Sequence, residues 1–188
     1  MYNLPIYQET LSRSKRTMLR LAKAFWDIAL WRKSPAQLPA SVFLLCLVAA
    51  AAAVLEVLSA MIPPSQGDLI PVRIALSVAL PLLFAWMVLV VARRPERFLQ
   101  TGTALLGVAV LAELVLYPLG SLLNLIGTDA PAALPVGVLL LVGLIWYLLA
   151  CANIWRAALD ARLGLGAAIS VGYLLLSMFL EQKLVPSS

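Results

Sequence analysis

Five apolar runs, separated by only a few polar residues each, constrain this chain more than any other feature. About twenty apolar residues in a helix cross a hydrocarbon core, and all five runs reach that length. They extend from about Leu38 to Ile62, Leu69 to Ala92, Leu99 to Ile126, Ala133 to Trp155 and Leu163 to Leu180. The breaks are short and have a physical cause. Pro63-Pro64 ends the first run, and Ser65-Gln66-Gly67-Asp68 follows as a hairpin. Arg93-Arg94-Pro95-Glu96-Arg97 stops the second, Gly127-Thr128-Asp129-Ala130-Pro131 turns after the third, and Asp160-Ala161-Arg162 turns after the fourth. The expected fold is all-α: a polytopic membrane protein of five transmembrane helices with an N-terminal amphipathic interfacial helix.

Composition agrees. Of the 188 residues, 63% are hydrophobic and 12% are charged, whereas a soluble domain is about half apolar and a quarter charged. One small core cannot enclose that excess, so the chain needs an apolar solvent. The division expected is a cytoplasmic basic segment over residues 1–37, a transmembrane domain over 38–181 and a short external tail over 182–188.

Charge sets the orientation. Arg13, Lys15, Arg16, Arg20, Lys23, Arg32 and Lys33 precede the first span; Arg93, Arg94 and Arg97 lie in the second loop; Arg156 and Arg162 lie at the fourth. Of the 14 Lys and Arg, only Arg73 and Lys183 fall toward the other side. By the positive-inside rule the N-terminus is cytoplasmic and the C-terminus external. The net charge of +5 is thereby a topology signal, and no nucleic-acid partner is expected. The Ala/Leu-rich composition suits a bacterial inner (plasma) membrane.

Residues 11–33 read as a helix lying on the cytoplasmic leaflet. Arg13, Arg16, Arg20 and Lys23 recur at helical spacing on one face, and Trp26 and Trp31 add interfacial aromatics. This segment is either a plain surface helix or a docking helix for anionic lipid or a cytosolic partner.

Enzymatic signatures are missing. The chain contains no histidine, no HExxH, no GxSxG and no Walker motif, and every Asp falls outside the spans. Neither a catalytic residue, a metal site nor a cofactor is expected. Cys46 and Cys151 sit inside apolar runs, where free cysteines act as packing residues.

The polar groups left inside the spans are the candidate site. An ionisable side chain deep in a bilayer costs a few kcal/mol on insertion scales (about 3) and so asks for a partner or a role. Glu56 and Arg73 lie on either side of the first hairpin, each roughly 6–9 Å below the surface at 1.5 Å per residue, and an ion pair between them is expected. Glu113 lies near the middle of the third span without an obvious cation of its own. It can share Arg73, donate as a neutral acid, or line a wet cavity. Tyr117, ahead of Pro118, and Asn124 follow it; Asn153 sits near the cytoplasmic end of the fourth span. Trp146, Tyr147 and Trp155 are interfacial or packing aromatics.

The stretch from Arg97 to Tyr173 carries RFLQTGTALLGVAVLAELVLYPLGSLLNLIG and then LIWYLLACANIWRAALDARLGLGAAISVGYLL. Its Trp-bearing fourth helix, short Arg/Ala loop and Gly-rich fifth helix resemble the Yip family (the Ypt-interacting-protein-type membrane domain), in its bacterial branch. The resemblance covers the last half of the chain. It implies a cytosolic N-terminal segment, five closely spaced helices, no cofactor and no catalytic residue.

Two functions follow as expectations. The first is a non-enzymatic scaffold or assembly/trafficking-type partner, embedded in lipid and working with another membrane protein or as a homo-oligomer. The second is a small transporter or oligomeric channel using Glu113 with Glu56 and Arg73. They differ on whether Glu113 faces a cavity or packed neighbours.

Overall fold

Apolar side chains all round a helix leave no polar face to solvate, so such helices are stable only when lipid covers what the bundle does not. A computed structural model describes residues 40–60, 70–127 and 130–184. They form five helices long and apolar enough to cross a membrane: α1 Val42–Ala60, α2 Ile70–Val91, α3 Phe98–Ile126, α4 Ala133–Leu159 and α5 Leu163–Leu184. No strand is present among the described residues. The chain is an all-helical integral membrane protein.

The basic N-terminal segment, with Arg13, Arg16, Arg20, Lys23, Trp26 and Trp31, lies outside the described residues, as do the first hairpin, Asp129 and the last four residues. Two boundaries differ from expectation. The fourth helix runs on to Leu159 and the fifth to Leu184, because Ala157, Ala158, Glu181, Gln182 and Lys183 are tolerated in a helix and no breaker intervenes.

Helix ends follow local chemistry. The Leu44 N–H donates to the Ser41 Oγ at 3.4 Å, in the manner of an N-cap. At the end of α2, Arg93 takes a left-handed conformation at φ 58°. The Arg94 N–H then reaches the Leu89 carbonyl and the Arg93 N–H the Val90 carbonyl, which satisfies the last turn. Asp160 closes α4 in the same region at φ 50°, with the Ala161 N–H on the Arg156 carbonyl.

α2 departs from a regular helix. Ala75–Ala79 form a π-helical turn, with the Leu80 N–H donating to the Ala75 carbonyl. Pro81 explains it: a proline there cannot donate to the carbonyl one turn back, so the ladder shifts register.

α3 is the central element and packs on α1, α2 and α4, while α4 packs on α5. α5 meets α2 chiefly through the Leu80–Val91 half. The core is correspondingly one-sided. Thr101–Val108 of α3 and Ala150–Trp155 of α4 are continuously buried, together with Leu44, Val48, Ala85 and Leu89. All of these lie toward the end that carries Arg93, Arg94, Arg97, Arg156 and Arg162, here called the basic end. Toward the opposite end α3 is no longer enclosed, and Leu114, Val115, Leu122 and Leu125 are exposed.

Gly166 makes the tight α4–α5 contact possible. A Cβ there would lie 2.2 Å from the Ala152 carbonyl oxygen, so only glycine lets the two backbones approach.

Candidate functional site: a polar cleft with an aromatic floor

The loss of helix contact toward the opposite end opens a cleft of about 240 Å³ to which every helix contributes. α1 supplies Glu56, α2 supplies Arg73 and Ser77, α3 supplies Glu113, α4 supplies Tyr147, and α5 supplies Tyr173, Ser177 and Glu181.

Arg73 and Glu56 form the expected pair, with the guanidinium Nε donating to the carboxylate Oε1 at 2.7 Å. Their side chains are 30% and 13% exposed, so the pair sits at the cleft wall, partly out of solvent. Glu113 lies in the same cleft, within electrostatic range of both groups. Among the described residues it has neither a hydrogen bond nor an ion pair. Of the three arrangements open to it in sequence, the structure places it along a cavity.

The cleft continues inward. A second, smaller cavity of about 50 Å³ shares Ser77, Ala109, Tyr147, Tyr173 and Leu174 with it and reaches Phe84, Leu105 and Trp155. Its floor is aromatic: Phe84 meets Trp155 edge-on at 6.0 Å and Tyr173 at 5.2 Å. Below this floor lies the packed core. The π-helical turn of α2 carries Ser77 to the junction of the two cavities, and such turns recur at functional sites. Ser77 and Ser177 donate to carbonyls of their own helices, Ile74 and Leu174, as hydroxyls do in an apolar medium.

A separate cluster ties the start of α3 to the end of α4 at the basic end. Arg97 Nη1 donates to the carbonyl oxygens of Ala157 and Ala158, each at 3.0 Å, and its Nη2 lies 3.0 Å from Asp160 Oδ2. Arg94 Nη1 donates to the same carboxylate oxygen. A cation thus sits on the last carbonyls of α4, where the helix dipole is negative. The Arg97 and Arg94 guanidinium groups together hold the Asp160 carboxyl below the ordinary aspartate value.

Other expected residues lie elsewhere. The Tyr117 hydroxyl donates to the Ser59 carbonyl at 2.6 Å and ties α3 to α1. Asn124 is exposed near the end of α3, and Asn153 is buried at the basic end. None of the three lines either cavity. Cys46 faces outward and Cys151 is buried. No group of metal-binding residues occurs among the described residues.

Sequence reasoning missed Ser77, Tyr173, Ser177 and Glu181 as site residues and took Tyr147 for a packing or interfacial aromatic. A signal existed. Ser170, Tyr173, Ser177 and Glu181 recur at three- and four-residue spacing, which is a polar stripe along an otherwise apolar helix. Pro81 marked the irregular turn beside Ser77.

The fold and the cleft define an integral membrane protein whose described residues form five membrane-length helices around a polar recess. No protein-family model, curated protein or solved structure matches the chain.

Proposed function

We propose that this chain is a small membrane transporter whose solute path is the cleft between Glu56, Arg73 and Glu113. The observation that carries this reading is the position of Glu113: it lines a cavity of about 240 Å³ rather than packing among neighbours. The cleft is partly open, and toward the basic end the aromatic floor, the packed core and the Arg97–Asp160 cluster close it. A recess closed on one side is the arrangement that alternating access requires. Opening the basic end would complete the path.

The orientation belongs to the same proposal. The arginines at the basic end put it in the cytoplasm by the positive-inside rule, with the cleft facing outward, in a bacterial inner membrane. The basic residues of the N-terminal segment are in keeping with that side. The Yip-family resemblance supports a cytosolic N-terminus in a five-helix plan. The scaffold reading draws its support from that same basic segment.

The test is solute flux into proteoliposomes with a panel of labelled small cations, anions and zwitterions. Saturable uptake of at least one class, abolished by Glu113→Gln in a protein of unchanged helicity, is the expected result. Absence of flux for every class, or equal flux in Glu113→Gln, would refute transport through this cleft.

A further inference from the structure

We infer that the two joined cavities form a binding site for a small organic cation: an amine or quaternary ammonium bearing a compact apolar group. The inference rests on the cleft reading above and deepens it by naming the ligand class.

Volume limits the ligand first. The cleft, at about 240 Å³, is the larger of the two spaces and is partly open. The inner cavity of about 50 Å³ adds room for only a small apolar end. That inner end suits a compact group set against Phe84, Leu105 and Trp155.

Charge sets the sign. Glu56, Glu113 and Glu181 come from three different helices and converge on one cleft, and Arg73 is the single cation lining it among the described residues. Arg73 is already engaged by Glu56. The carboxyl left over at depth is Glu113, and the one at the mouth is Glu181. With Arg73 set against Glu56, the described lining keeps two carboxyls in excess, and such a cleft, partly out of water, favours a positive charge over a negative one. An anionic solute would meet two carboxyls and, in Arg73, a cation whose charge Glu56 already offsets.

The walls agree with a weakly hydrated cation. Tyr147 and Tyr173 line both cavities at the boundary between polar and apolar parts. Aromatic faces attract ammonium groups, most strongly where water is excluded. Ser77 stands at the same boundary with its hydroxyl bonded to Ile74, so it makes small demands on the ligand. The apolar end would rest on the Phe84–Trp155–Tyr173 floor with its charge level with Glu113.

The experiment uses the full chain in lipid nanodiscs and radiolabelled benzyltrimethylammonium as probe. Saturable binding is expected, displaced by the unlabelled cation but not by benzenesulfonate or benzyl alcohol. Glu113→Gln should weaken binding by about tenfold or more, as loss of a partly desolvated charge partner does. Glu181→Gln, at the exposed mouth, should weaken it by about threefold and serves if Glu113→Gln does not fold. Arg73→Gln leaves the Glu56 carboxyl in the cleft without its cation and should tighten binding. Lack of saturable binding, or equal displacement by benzenesulfonate, would overturn the inference, as would unchanged affinity in both glutamate variants. Binding without flux would sink the transport proposal and leave the cation site standing. Flux of an anion or zwitterion without probe binding would do the reverse.

Discussion

The guanidinium Nε of Arg73 lies 2.7 Å from the Oε1 of Glu56, joining the start of α2 to α1 across 17 positions of sequence. The pair neutralises the two charges that flank the cleft opposite Glu113. Its energetics are those of a partly buried bridge: the pair adds little over an apolar contact, but either charge left alone is destabilising.

Glu56→Gln and Arg73→Gln should therefore each lower stability by about 3 kcal/mol, and the double variant should lose less than either. Thermal unfolding in detergent gives the cycle. Strictly additive losses would show that the two groups do not stabilise one another.

Gly166 and Gly172 both belong to α5 and should respond oppositely to alanine. A Cβ at 166 meets the Ala152 carbonyl at 2.2 Å, whereas one at 172 meets nothing within 4 Å. Gly166→Ala should cost about 1–3 kcal/mol through forced separation of α4 and α5. Gly172→Ala should be neutral or stabilising by up to about 1 kcal/mol. Equal effects would contradict the close backbone approach.

Asp160 predicts an acid-sensitive step at the basic end. Its folded-state value is lowered, first by Arg97 and then by Arg94. The stabilisation is then complete above the ordinary aspartate value and is lost as pH falls through the lowered one. Asp160→Asn retains a residue that accepts the left-handed backbone but removes the charge. In melting curves taken from neutral pH down into the acid range, that variant should lose part of the acid slope. A slope identical to the parent would assign it to other carboxyls.

Arg97 should be irreplaceable by lysine. Two carbonyls and a carboxylate share its planar fork, and an ammonium cannot reproduce that geometry. With Cys46 replaced by serine and a membrane-impermeant reagent added on the basic side alone, the buried Cys151, which lines the inner cavity, reports on closure of that end. Alkylation of Cys151 should accelerate several-fold in both Arg97→Lys and Arg97→Ala, as sub-global opening exposes it. Unchanged rates would mean the cluster does not hold that end shut.

Much of this architecture was legible because the bilayer imposes a length and a composition on anything that crosses it. Five apolar runs of sufficient length became five helices, and α1 and α2, joined by a short connection, brought Glu56 to Arg73. Glu113 was legible as a polar group at depth, though not its surroundings. The rest depended on rotation. Lipid and a packed core are both apolar, so hydropathy does not tell which face of a span turns inward. Ser77, Tyr147, Tyr173 and Ser177 were for that reason inconspicuous, while Tyr117, Asn124 and Asn153 looked equally eligible and fell outside the cavities.

By itself, then, the sequence determined the solvent, the number of spans and the sharing of charge between helix ends, because each follows from the cost of placing polar atoms in hydrocarbon. Only the tertiary structure decided that the core gathers at the basic end and that the helices part at the other. That outcome depends on which helix pairs meet along their full length. The glycine at 166 lets α4 and α5 meet closely, the proline at 81 accompanies the shifted ladder of α2, and Arg97 ties α3 to α4 through Asp160, each through a neighbour or a backbone register that hydropathy does not encode.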